Sequence, residues 1–161
     1  MQLDFNRSFN VQELELKFKP NRKHSQIKLH SSADVHKFLA PRLADEPREK
    51  FIGLYLNPTN EVAAYEVISQ GTSDSAPVSP REVFKAALLS NSPAVIFAHN
   101  HPSGSPDPSP KDRALAQTLK EAAELLDIQI LDFLVITRDR YYSFAHSEPD
   151  FNLPVTKGGA K

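Results

Sequence analysis

The 161-residue chain has no cysteine, no tryptophan, one methionine and only five glycines. The missing cysteines exclude disulfide frameworks, thiolate zinc sites, iron–sulfur clusters and cysteine nucleophiles together. Zinc deamination, which needs a paired-cysteine half-site, goes with them. Any metal this chain holds must take its donors from His, Asp, Glu and water. Long hydrophobic runs are missing too: none approaches the roughly 20 residues that cross a bilayer. Met1 to Asn10 is polar and carries Asp4 and Arg7, so no secretory leader is expected. The expectation is a cytoplasmic protein without a membrane span. His-Glu-x-x-His and the phosphate-binding Gly-x-x-x-x-Gly-Lys-Ser/Thr are both absent, which removes zincin and P-loop chemistry.

A dominant charge of one sign is also lacking. The net charge is −1, so bulk positive charge does not serve to grip nucleic acid. Its placement is uneven: residues 1–50 carry ten Lys or Arg against seven Asp or Glu, and residues 51–161 carry nine against thirteen. The basic front is a weak pointer to a polyanion-facing arm, and the reading preferred is an ordinary solvated surface.

What is present reads as three parts. Residues 1–30 form an extended arm in which Val11 to Lys19 alternates apolar and polar up to Pro20, a half-buried strand that pairs with its own sheet or with another protomer's edge in a homodimer. Residues 31–147 form the body, and residues 148–161 a loose tail with Pro149, Pro154, Gly158 and Gly159. In the body, Ser31 or Ser32 caps a helix from Asp34 to about Leu43, with Val35, Phe38 and Leu39 on one face. Phe51–Leu56 and Val62–Ser69 make a hairpin across Asn57-Pro58-Thr59-Asn60. After a loop from Gly71 to Pro77, Ser79-Pro80-Arg81-Glu82 opens a helix to about Ser90 that buries Val83, Phe84, Ala87 and Leu88. Ala94–Ala98 is an apolar run suited to a central strand. A helix from Pro110 to about Leu126 presents Leu115, Leu119, Ala122, Ala123 and Leu126, and strands follow at Ile128–Ile136 and Tyr141–Ala145. The order predicts an α/β fold, a single mixed sheet flanked by helices.

The chemistry sits where the central strand ends. His99 and His101 are two apart, so an extended backbone aims both imidazoles to one side. Asp112 follows Ser109 by three residues, in the first turn of the next helix, where the helix dipole favours a carboxylate. Two imidazoles and one carboxylate are a three-ligand set typical of catalytic zinc, with one tetrahedral corner left for water. Asp107 is a weaker candidate, lying mid-loop between two prolines. Asn100 and Ser103 are candidates for hydrogen bonds that steady the ligands, or ordinary turn residues. Ser109-Pro110-Lys111-Asp112 is also a capping box, and spacing alone leaves both readings open. His24, His30, His36 and His146 show no ligand spacing.

The string His99-Asn100-His101-Pro102-Ser103-Gly104, with Ser109 and Asp112 behind it, resembles the JAMM motif of the MPN/JAB zinc metalloprotein family, in its RadC-like branch. Similar stretches occur at Glu49-Lys50-Phe51, Leu56-Asn57, Gly71-Thr72, Arg81 to Ala87 and Tyr141 to Ala145. The resemblance implies a cytidine deaminase-like α/β fold and Zn2+ held by His99, His101 and Asp112. It further implies Glu49 as general base on zinc-bound water, Ser109 steadying the oxyanion, and a protein or peptide substrate. Nothing in the residues themselves separates Glu49 from Glu46. The RadC-like branch implies a nucleic-acid role as the alternative. Its usual N-terminal helix–hairpin–helix region is not expected within residues 1–30, since the first glycine is Gly53.

Overall fold

The computed structural model describes residues 27–43, 45–71 and 78–151. The strand expected at Val11–Lys19, most of the arm, the loop after Gly71 and the end of the tail lie outside them. The elements run α1 (Ser32–Leu43), β1 (Glu49–Leu56), β2 (Val62–Gly71), α2 (Pro80–Leu89), β3 (Ala94–Asn100), α3 (Pro110–Leu125), β4 (Gln129–Ile136), β5 (Tyr141–Ser143) and α4 (Phe144–Ser147). The strands form one sheet in the order β2-β1-β3-β4-β5. The β3–β4 pair is parallel and the other neighbours are antiparallel, which gives the single mixed sheet flanked by helices that the sequence predicts. Among the described residues no helix is long and apolar enough to cross a membrane.

Strand alternation sorts the core into two layers. Phe51, Tyr55, Val95, Phe97, Phe133 and Val135 face α2 and α3, whose Val83, Phe84, Ala87, Ala116, Leu119 and Ala123 close over them. This layer is aromatic: Phe51, Phe84, Phe97 and Phe133 pack with ring centroids 5.5 to 6.5 Å apart. The opposite face is aliphatic, with Ile52, Leu54, Leu56, Ile96, Leu134 and Ile136 under Val35, Leu39, Ala40 and Leu43 of α1. Every residue of β3 is buried, as expected of a strand covered on both sides.

Local chemistry explains the joints. Asn57 Oδ1 accepts from the Thr59 and Glu61 N–H groups at 3.0 and 2.9 Å, and Asn60 takes φ 60°, which closes the β1–β2 hairpin. A Cβ on Gly53 would lie 2.7 Å from the Tyr55 hydroxyl. The bare glycine lets that phenol cross and donate to the Val83 carbonyl at 3.0 Å, tying α2 to the sheet. Helices α2 and α3 end alike, with Asn91 (φ 50°) and Asp127 (φ 54°) in the left-handed region. Ser92 N–H reaches Ala87 O, and Ile128 N–H reaches Ala123 O, at 2.9 and 3.0 Å.

Three expectations need correction. Leu88 and Leu126 are exposed, at 57% and 40%. Leu88 lies 100° around the helix from Ala87, beyond the buried stripe, and Leu126 falls where the chain leaves α3; Ala116, outside the expected set, is buried. Ser79 makes no side-chain cap bond: Glu82 N–H donates to the Ser79 carbonyl at 3.0 Å, and the Glu82 carboxylate pairs with Lys85. The strand expected to reach Ala145 stops at Ser143, whose hydroxyl accepts from His146 N–H at 3.1 Å and turns the chain into α4.

Candidate metal centre

The site forms where β3 runs out on the aromatic face. His99 is 1% exposed, with the Phe133 ring edge-on at 5.5 Å between centroids. His101 lies one residue past the strand and stays docked through its N–H to Ile136 O at 3.2 Å. The chain then turns: Pro102 takes the second position, and Gly104 (φ 78°) donates its N–H to His101 O at 3.0 Å. This turn brings the Ser105 carbonyl to 2.9 Å from His101 Nδ1. A carbonyl only accepts, so Nδ1 carries a proton, and the neutral ring presents the Nε2 lone pair to the site whereas the protonated ring donates from Nε2 to Asp112. The two Nε2 atoms of His99 and His101 stand 3.0 Å apart.

Helix α3 supplies the third donor. Ser109 is its N-cap, with an extended backbone, and its hydroxyl accepts from Asp112 N–H at 3.2 Å. Asp112 reaches back so that Oδ2 accepts from Ser109 N–H at 2.6 Å, completing a capping box. The same carboxylate places Oδ1 at 3.3 Å from His99 Nε2 and Oδ2 at 3.4 Å from His101 Nε2. One ligand atom from each residue falls within 4.8 Å of the others. The cap and the ligand set, alternatives on spacing alone, coexist in one side chain.

Electrostatics fits a cation. Burial works against the charged form of Asp112, but hydrogen bonds from His101 and His99 outweigh it and hold the carboxyl far below the usual range. The same hydrogen bond raises the His101 imidazole, burial opposes the rise, and the charges of Asp112 and Glu49 add to it. Two imidazole nitrogens 3.0 Å apart beside a carboxylate need either a shared proton or a cation between them. Nitrogen, nitrogen and carboxylate oxygen suit zinc with an open fourth position.

The remaining candidates divide. Glu49 opens β1 and pairs with Gly71. The register sets Phe51 opposite His99, so Glu49, two residues earlier, shares the imidazole face, half-buried and outside the three-residue group. Asp107 accepts from Ser105 Oγ at 2.9 Å and serves the loop. Asn100, next along the strand, alternates to the opposite face and bonds Lys50 at the start of β1 and Arg48 just before it. His36 contacts Thr137 O at 3.1 Å, away from the cluster. The sequence reading missed two supports, the Ser105 carbonyl and the Phe133 edge. The Pro102–Gly104 turn was the available signal for the first, and nothing local announced the second.

Residues 29–149 match the family model described as the RadC-like JAB domain. This chain belongs to that family. Relatives of the RadC-like JAB domain here include the UPF0758 proteins of Methanosarcina acetivorans, 46% identical over 116 residues, and Marinobacter nauticus, 48% over 117. The alignments cover 72% and 73% of this chain but 51% and 52% of those proteins. The UPF0758 protein of Pelodictyon phaeoclathratiforme is 38% identical over 120 residues, 74% of this chain and 54% of that protein. The chain thus spans about half the length of the curated relatives it matches. Its mixed sheet with flanking helices is the α/β JAB/MPN fold, and the family supports a function of JAB type.

Proposed function

We propose that this chain is a zinc-dependent hydrolase of the JAMM type that cleaves an amide, peptide or isopeptide bond in a protein or peptide substrate. The observation that carries the reading is the convergence of His99, His101 and Asp112 donor atoms within 4.8 Å of one another. When bound, zinc supplies Lewis acidity and brings the pKa of water toward about 7. His99, His101 and Asp112 hold it, with the Ser105 carbonyl fixing the His101 ring. Glu49, on the imidazole face, accepts the proton of the attacking water and returns it to the departing amine. Ser109 accepts from Asp112 N–H through its oxygen and so keeps its own proton to donate to the developing oxyanion.

Elemental analysis of the purified protein, followed by a screen of peptide, ubiquitin-like and DNA substrates with a chelator control, tests this. About one zinc per chain is expected, lost in His101→Ala. Glu49→Gln keeps zinc and loses roughly a hundredfold or more in turnover. Full zinc stoichiometry in His101→Ala refutes the ligand set, and undiminished turnover in Glu49→Gln refutes the base. DNA cleavage, or salt-dependent DNA binding, favours instead the nucleic-acid-processing reading.

A further inference from the structure

The β1–β3 ladder runs from Leu56 opposite Ala94 to Phe51 opposite His99 and ends there. One pair further on, a side chain takes over. Lys50 N–H donates to Asn100 Oδ1 at 2.8 Å, and Asn100 Nδ2 donates to Arg48 O at 3.1 Å and Glu46 O at 3.4 Å. We propose that Asn100 is the positioning residue for Glu49: its carboxamide replaces the missing rung and fixes the strand start that carries that carboxylate.

The three bonds bracket Glu49 from both sides along the chain, and the β2 pairing with Gly71 holds its other edge. Asp45, Pro47 and Arg48 before it are exposed, and of the side-chain ion pairs of this segment, Asp45 with Arg138 and Glu46 with Lys50, neither binds the backbone beside Glu49. Asn100 is 2% exposed, so water does not substitute for these bonds. A carboxamide fits because it offers an acceptor and a donor together, as a peptide group does. Asp keeps the acceptor but loses the donors, and Leu keeps the volume but loses both. Alternation along β3 gives His99 and His101 to the metal side and leaves Asn100 free to hold the base's backbone. A displacement of about 1 Å in such a group is enough to cost roughly a hundredfold in rate.

This inference rests on the hydrolase reading for the role of Glu49, and its test does not require turnover. The probe is the full chain loaded with Zn2+, or with Co2+ for its visible spectrum, as wild type, Asn100→Leu, Asn100→Asp, Glu49→Gln and the Asn100→Leu/Glu49→Gln double variant. All are expected to bind one metal per chain. Exchange of the Lys50 amide rises about tenfold in Asn100→Leu and less in Asn100→Asp, which retains the acceptor. The Co2+ spectrum of Asn100→Leu changes to that of Glu49→Gln, and the double variant adds nothing further. A merely structural role would speed exchange without this merging of spectra. Unchanged Lys50 exchange, metal loss in Asn100→Leu, or a double variant showing the sum of two independent changes overturns the proposal. A Glu49→Gln spectrum identical to wild type overturns the base reading instead, and Lys50 exchange then decides whether Asn100 holds the strand.

Discussion

Helices α2 and α3 begin with nearly the same four residues, Ser79-Pro80-Arg81-Glu82 and Ser109-Pro110-Lys111-Asp112, and end in the same left-handed turn. They lie against the same aromatic face of the sheet. Their starts nevertheless differ. At α2 the serine caps nothing with its side chain, and the glutamate lies exposed against Lys85. At α3 both halves of the capping box form, and the aspartate turns under two imidazoles. The cause is the neighbour. Helix α3 starts beside the end of β3, where His99 and His101 stand, whereas α2 is tied to the sheet by Tyr55 at Val83. A local motif therefore specifies a helix start, and the sheet decides whether that start becomes a site.

Paired substitutions at the two starts break or sharpen this contrast. The largest effect is expected from Asp112→Ala, which lowers zinc from about one per chain to below roughly a tenth, while Glu82→Ala leaves metal content unchanged; elemental analysis reads both. Next, Ser109→Ala costs about 1 kcal/mol in denaturant unfolding because a formed cap bond is lost, and Ser79→Ala costs only a small fraction of that. Equal losses at the two serines would erase the distinction. The smallest effect is on pH dependence without metal. His101 is raised above its ordinary 6.5 by Asp112, so its contribution is complete below that value and fades as pH rises through the folded-state value. The metal-free protein should therefore melt higher near pH 6 than near pH 8, with Asp112→Asn flattening the slope. The α2 pair gives no slope in this window, since Glu82 is shifted down and Lys85 up, both away from neutrality.

Much of the fold was legible because β1, β3 and β4 are apolar runs and the helices carry clear start signals. The errors fell where a burial stripe was drawn too wide, at Leu88 and Leu126, and where a serine's cap bond turned a strand into α4 at Ser143. The donor triad was legible from spacing, because a two-residue step on a strand and a three-residue step into a helix fix directions locally. Glu49 was not: its relation to His99 depends on the β1–β3 register, which is non-local. Asn100 was visible only as a polar residue between two histidines, since its partners lie 50 to 54 positions away.

Asp112 Oδ2 closes the first turn of α3 on the Ser109 amide and also faces the His101 imidazole, while Oδ1 faces His99. Occupancy and helix integrity are therefore geared to one another. Whatever tugs on the carboxylate from the histidine side is transmitted to the Ser109 amide, so that amide serves as an intrinsic gauge of the site, readable by exchange or chemical shift before any substrate is known.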